Sequence, residues 1–261
     1  MHRLSVRALD GQVQHLVLKR WVGDDDPRDA LDQLEREATA LVVLEDSGIG
    51  APRLVAMSDG TETDGWPALL MTRVPGRVWL EPTEVDAWLT ELAASLVRIH
   101  ELPVSLAPVE PWKPERIDWI PEDATRPELW QEASELLRGP APDRSRVIHG
   151  DYQHFNVLWS RGHLSGVIDW TWSGLGHPDR DLGHCRLNLA ALYSPERAER
   201  FKAIYEGVAG REIDPWWDVY EIRCYNDAWP RFLPIQVDRR TSVDSIGMTA
   251  RVEALLASAM P

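Results

Sequence analysis

The chain has 261 residues, enough for one large domain or two small lobes around a sizeable core. Apolar residues make up 44% and charged residues 27%, which excludes wholesale disorder, and no apolar run approaches the roughly 20 residues that span a bilayer. The net charge of −14 is spread along the chain, with 8 basic and 13 acidic residues up to position 74 and 20 and 29 beyond it; without a basic stripe, neither nucleic acid nor an anionic membrane is an expected partner.

The N-terminal MHRLSVRALDG has no continuous apolar stretch, so no secretory signal is expected. The two cysteines, Cys185 and Cys224, are too few for a disulfide framework and point to a reducing cytoplasm. Lysine is rare, with Lys19, Lys113 and Lys202 set against 25 arginines, and tryptophan is abundant at 13.

Residues 3–9 and 13–21 alternate as two strands around the turn pair Asp10-Gly11, with Lys19 near the end of the second. Residues 28–46 read as a helix, because Leu31, Leu34, Ala38, Leu41 and Leu44 share one face. Short strands are expected at 52–57 and 68–74, before the Pro75-Gly76 break. A second amphipathic helix over 84–101 buries Val85, Trp88, Leu92, Leu96 and Ile99, with Thr83 as its N-cap. Residues 103–127 look irregular, and a helix is expected near 128–138. Strands follow at 146–149, 156–159 and 164–170, the last two joined by the turn Ser160-Arg161-Gly162-His163, and the chain reads mainly helical after Pro178.

The densest polar cluster in apolar surroundings is VIHGDYQHFNVLW, followed by GVIDW. A strand–loop–strand–turn–strand path can bring Asp151, Asn156 and Asp169 together. Carboxylate and amide oxygens suit a hard cation such as Mg²⁺, and a further carboxylate can take the proton of a hydroxyl. This is equipment for metal-assisted phosphoryl transfer. A rival reading takes His149 and His154, with His163, His177 or His184, as a zinc site, but it leaves Asn156 and Asp169 without a task. The chain contains no G-x4-GK[ST] phosphate loop, no GxSxG elbow and no CxxC pair.

HGD-x4-N, followed 13 residues later by Asp169 in IDW, resembles the aminoglycoside phosphotransferase and choline kinase superfamily, relatives of protein kinases. Gly176-His177-Pro178-Asp179-Arg180-Asp181-Leu182 is similar to that family's GDP-x2-DL segment, with His177 in place of Asp. REATALVVLEDSGIGAPRLV resembles its first helix and following strand, and PALLMTRVPG its strand and hinge. The likeness covers residues 3–190.

The resemblance implies an α+β, protein-kinase-like bilobal fold: a small β-sheet N-lobe with one helix over 1–74 and a larger, mainly helical C-lobe over 75–261. It implies a Mg²⁺-dependent kinase that moves the γ-phosphoryl group of ATP or GTP to a hydroxyl of a small molecule such as an aminoglycoside, macrolide or amino alcohol. Asp151 would be the catalytic base, Asn156 and Asp169 would hold Mg²⁺, and Lys19 would contact the α/β-phosphates. Glu37 would orient Lys19; periodicity leaves Glu35 equally placed, and only the family's Arg-Glu-Ala pattern favours Glu37. Backbone groups of Thr72 and Val74 would bind the purine behind Met71. Asp179 and Asp181 would brace the catalytic loop, His149 would pack beneath the site, and His154 would face the acceptor or solvent.

Acceptor walls are expected from Trp112, Trp119 and Trp130 and from Asp214–Asp218 through Asp227 and Trp229, where carboxylates beside indoles would suit a cationic acceptor. The family usually places another strand and a phosphate-covering loop ahead of the position of Lys19. Their absence here leads to the expectation of an open sheet edge and a homodimer. A catalytically degenerate protein that binds a nucleotide or small ligand is the alternative function.

Overall fold

The computed structural model describes residues 1–7, 10–22, 27–61, 65–111, 117–225, 229–238, 240–241, 244 and 246–260. Strands β1 (His2–Arg7) and β2 (Val13–Arg20) form the expected hairpin, and β3 (Leu54–Ser58) and β4 (Ala68–Thr72) complete an antiparallel sheet in the order β1-β2-β4-β3. In the hairpin, His2 faces Leu18 and Arg7 faces Val13. Lys19 sits opposite Leu69 on β4, in the inner part of the sheet.

Helix α1 (Pro27–Leu44) buries Leu34, Ala38, Leu41 and Leu44 as its periodicity predicts. Glu37 lies on the buried side of this helix, whereas Glu35 is exposed, so packing makes the choice that periodicity left open. Helix α2 (Val85–His100) buries Trp88, Leu92, Leu96 and Ile99. The expected Thr83 cap is not formed: the N-cap residue is Glu84, and no side chain caps the helix.

Helix α3 (Pro127–Leu137) and strand β5 (Arg146–Ile148) lead into the polar cluster, and β6 (Val157–Ser160) pairs with β7 (His163–Val167). The strand expected over 164–170 stops at Val167, because Asp169 takes a left-handed conformation with φ 68°. Strand β8 (Gly174–Gly176), which no alternation announces, pairs antiparallel with β5. Gly150 has φ 81°, and a Cβ there would lie 2.0 Å from the Trp172 carbonyl oxygen, so only glycine fits at the centre of HGD.

Helices α4 (Pro178–Leu192), α5 (Pro195–Ala209), α6 (Trp216–Cys224), α7 (Trp229–Val237) and α8 (Met248–Ala259) follow. All 15 residues of α4 are buried, which is why it lacks a polar face. Its charged side chains must therefore be paired: Arg186 bonds to the buried Asp218 of α6, and Arg180 Nε lies 3.3 Å from Glu221 Oε1. No helix among the described residues is long and apolar enough to cross a membrane.

His154 is fully buried and lies 4.2 Å from Phe155, 5.5 Å from Tyr193 and 5.8 Å from Trp88, measured between ring centroids. It faces neither acceptor nor solvent, contrary to expectation. Burial, helped by Arg197 and His184, pushes its imidazole down from 6.5 to about 3. A depressed folded value means that stability is complete above pH 6.5 and falls as pH drops toward 3, because the unfolded chain takes a proton that the folded one refuses. Between about pH 7.5 and about pH 5.5 this one group should cost about 1.3 kcal/mol. Urea melts should accordingly show His154→Phe gaining on wild type by that amount over the interval. A stability difference that does not change with pH would contradict the neutral, buried imidazole.

Candidate active site

Lys19 Nζ lies 2.7 Å from Glu37 Oε2 and 2.6 Å from both Asp169 Oδ1 and Thr171 Oγ1. The Thr171 hydroxyl lies within hydrogen-bond distance of both carboxylates, at 2.9 Å from Glu37 and 3.0 Å from Asp169. Burial alone would lower the Lys19 ammonium, but Glu37 and Asp169 outweigh it and hold it above its ordinary value of 10.5. Burial likewise favours protonated Asp169, yet Lys19 and the Thr171 bond pull its carboxyl below the usual range. Glu37 is 1% exposed and Asp169 32%, so Asp169 is the carboxylate that can turn toward a ligand.

Asp151 follows Gly150 on the loop between β5 and β6. Its Oδ2 accepts a bond from Asn156 Nδ2 at 2.9 Å, and its Oδ1 accepts from Gln153 Nε2 at 2.9 Å. Because Asn156 also gives Nδ2 to the Asp151 carbonyl, its own Oδ1 is left for another partner. From helix α4, His184 Nε2 lies 2.9 Å from Asp151 Oδ1. The loop is held from beneath by Asp181, which accepts the backbone N–H groups of His149 and Gly150 at 2.7 and 2.8 Å. His100 Nε2 lies 3.2 Å from the same carboxylate. Asp179 braces a different segment, accepting the Asp214 N–H at 2.8 Å and the Arg211 guanidinium. His149 packs beneath the site, with Nε2 3.0 Å from the Ile168 carbonyl and its ring 4.6 Å from Trp170.

Asp151, Asn156 and Asp169 open onto one cavity of about 1160 Å³, and Met71, Thr72 and Val74 line it. The Thr72 N–H donates to the Arg53 carbonyl at 2.9 Å, so that group is not available to a base, and the Thr72 carbonyl and the backbone of Val74 remain. Trp79, Glu81, Gln153, Phe232 and Gln236 also line the cavity.

The expected acceptor walls lie elsewhere. Trp119 packs edge-on against buried Trp130 and Trp229, 6.0 and 6.4 Å away. Trp217 stacks on His177, and Asp218 pairs with Arg186. Trp112 and Asp227 lie outside the described residues. Trp130, Trp217, Trp229 and Asp218 are buried, and Trp119 packs partly buried against the core. The histidines of the zinc reading also disperse: His163 is exposed beside Glu91, and no group of three or more metal-capable side chains occurs among the described residues. Thr171, Gln153, His184 and Glu221 were not legible as parts of the site. His184 has a sequence meaning only as a metal ligand, and Thr171, two residues past Asp169, carries no pattern of its own.

This is the α+β, kinase-like fold of small-molecule phosphotransferases: a thermostable mutant of aminoglycoside phosphotransferase APH(4)-Ia, in ternary complex with ADP and hygromycin B, superposes with a TM-score of 0.63 at 15% identity, covering 100% of this chain and 95% of that one. Residues 2–217 match the model of the phosphotransferase enzyme family (APH), and the chain belongs to that family. Viomycin phosphotransferase of Streptomyces vinaceus is 28% identical over 222 residues, 75% of this chain and 76% of that protein. Acyl-CoA dehydrogenase family member 10 of Mus musculus is 25% identical over 185 residues, 62% of this chain but only 17% of that far longer protein.

Removing Lys19 leaves Glu37 buried with the Thr171 hydroxyl but without its opposite charge. Lys19→Met should destabilise the chain by about 3 kcal/mol, and Lys19→Met with Glu37→Gln should recover most of that loss. Chemical denaturation of the single and double variants reads this directly; equal losses in both would show that the pair does not organise the site.

Proposed function

We propose that the chain transfers the γ-phosphoryl group of ATP or GTP to a hydroxyl of a small molecule, with residues 1–74 as the nucleotide-binding lobe and 75–261 as the catalytic and acceptor-binding lobe. The observation that carries this reading is the convergence of Asp151, Asn156 and Asp169 on one cavity, with the Lys19–Glu37 pair bonded to Asp169, in a chain of the phosphotransferase family.

In this reading the nucleotide base lies against Met71 and the segment from Thr72 to Val74. Lys19 contacts the α/β-phosphates, sharing its ammonium with Asp169, while Glu37 keeps it in place. Asn156 Oδ1 and the Asp169 carboxylate would hold Mg²⁺; an amide oxygen and a carboxylate are the hard donors this ion takes while phosphate and water complete its shell. When bound, Mg²⁺ neutralises charge on the phosphate oxygens. Asp151 accepts the proton of the acceptor hydroxyl and orients its oxygen in line with the γ-phosphorus. The new O–P bond forms as the bond to the β-phosphate oxygen breaks, and the electron pair leaves on the nucleoside diphosphate.

Glu81 lines the cavity together with Arg77 and Arg240, so its charge does not by itself demand a cationic acceptor. The acceptor screen therefore spans aminoglycosides, viomycin, macrolides and neutral and amino alcohols. A cytoplasmic location rests on two unpaired thiols, Cys185 and Cys224. A homodimer rests on β1 lying at a sheet edge, and sedimentation equilibrium showing a clean monomer at high concentration would contradict it.

Phosphate transfer from γ-labelled ATP and GTP to the panel tests the central reading. Asp151→Ala should abolish turnover while the rise in melting temperature produced by Mg²⁺-nucleotide survives. Full turnover in that variant would remove Asp151 from the chemistry. Nucleotide binding without transfer to any acceptor would favour the degenerate binding protein.

A further inference from the structure

His184 stands in the middle of the fully buried helix α4, and each of its ring nitrogens faces a different carboxylate. Nε2 lies 2.9 Å from Asp151 Oδ1, and Nδ1 lies 3.0 Å from Glu221 Oε2 on α6. A neutral imidazole has one N–H and one lone pair, so one of these contacts would set lone pair against lone pair. With both carboxylates ionised, only the imidazolium satisfies both. The other oxygen of Glu221 faces Arg180 Nε at 3.3 Å, which completes a row of alternating charge running from the partly exposed Asp151 into the interior: Asp151, His184, Glu221, Arg180.

The row also divides the labour of the Asp151 carboxylate. Oδ1 accepts two bonds, from His184 and from Gln153, and its lone pairs are spent. Oδ2 accepts one side-chain bond, from Asn156, and keeps a lone pair. We propose that His184 is a positioning residue: as an imidazolium clamped between Asp151 and Glu221, it fixes the carboxylate so that Oδ2 is the oxygen that takes the acceptor's proton. This rests on the phosphotransfer reading, in which the O–H electron pair becomes the new bond to phosphorus and the proton passes to Oδ2.

The groups around His184 support the charged ring. Asp151 faces it from the catalytic loop and Glu221 from α6, Tyr225 stacks obliquely at 5.1 Å, and Asn188 on its own helix gives Nδ2 to the His184 carbonyl. Buried His154 and the more distant Arg180 are the neighbours that oppose it. Burial alone would lower the imidazole, but the bonds to Asp151 and Glu221 override it and carry it up to about 10. His154, whose ring meets no carboxylate, goes the opposite way.

The test joins a spectrum to kinetics. In protein labelled with ¹⁵N-histidine, both ring nitrogens of His184 should stay protonated through about pH 8, and Glu221→Gln should return the ring's titration toward the ordinary 6.5. His184→Gln and Glu221→Gln should each lower kcat about 10- to 100-fold, as removal of an outer hydrogen-bond partner does at metal sites. The KM for ATP should not move, and the double variant should lose little more than either single one. Turnover is read as phosphate release from ATP, with water in place of an acceptor where the screen has found none. A wild-type His184 that titrates near 6.5 would overturn the inference, as would wild-type kcat in folded His184→Gln. If His184→Gln does not fold, the wild-type spectrum and Glu221→Gln decide. Loss of turnover in Asp151→Ala with wild-type kcat in Glu221→Gln would sink this inference and leave the phosphotransfer reading intact. Full turnover in Asp151→Ala would sink both.

Discussion

One ammonium group ties the molecule together. Lys19 on β2 reaches Glu37 on α1, 18 residues away, and Asp169 and Thr171, which lie 150 and 152 residues further along the chain. The sheet, its helix and the segment after β7 therefore meet at a single charge. The interaction is expensive to form, because a lysine and a 1%-exposed glutamate leave water together. The second carboxylate, Asp169, stays partly open and lines the cavity. The left-handed backbone at Asp169 (φ 68°) has the same logic: the strand breaks off so that the side chain turns toward Lys19 and the cavity.

The loop that carries Asp151 is held by a second set of constraints. Gly150 lets the backbone pass against Trp172, Asp181 anchors two consecutive N–H groups, and the aromatic packing of His149 fills the space beneath. Asp151 then projects from a segment with little freedom, and its two oxygens are given unequal partners. In the proposed reaction, preorganisation of this kind would lower the entropy lost in bringing a hydroxyl into line with a phosphoryl group. The same contacts explain how α4 holds Asp181, His184 and Arg186 with no exposed residue: Asp181 accepts two loop N–H groups, His184 faces Asp151 and Glu221, and Arg186 pairs with Asp218 and Glu199.

The sequence carried the parts of this design that depend on local chemistry. Asp10-Gly11 marked the hairpin, the apolar stripes marked α1 and α2, and the spacing of Asp151, Asn156 and Asp169 marked the cluster. What it could not carry depends on the third dimension. Glu35 and Glu37 are equivalent on a helical wheel, and only the approach of β2 separates them. The Trp-rich C-terminal half reads as a ligand wall, yet Trp130, Trp217 and Trp229 are buried in the core. His177 stands where the related family has aspartate, and its side chain here accepts the Asp179 N–H at 3.2 Å, so it caps α4. The bond between His184 and Asp151 spans 33 positions and is invisible to periodicity.

The account stands or falls on Lys19 and Asp169 forming a phosphate and cation site, and calorimetric titration with ATP reads that most directly. Wild-type protein should bind ATP more tightly with Mg²⁺ than without it, and Asp169→Asn should abolish that difference while leaving the chain folded. Equal affinity in the presence and absence of Mg²⁺, or an unchanged Mg²⁺ effect in Asp169→Asn, would contradict the site described here.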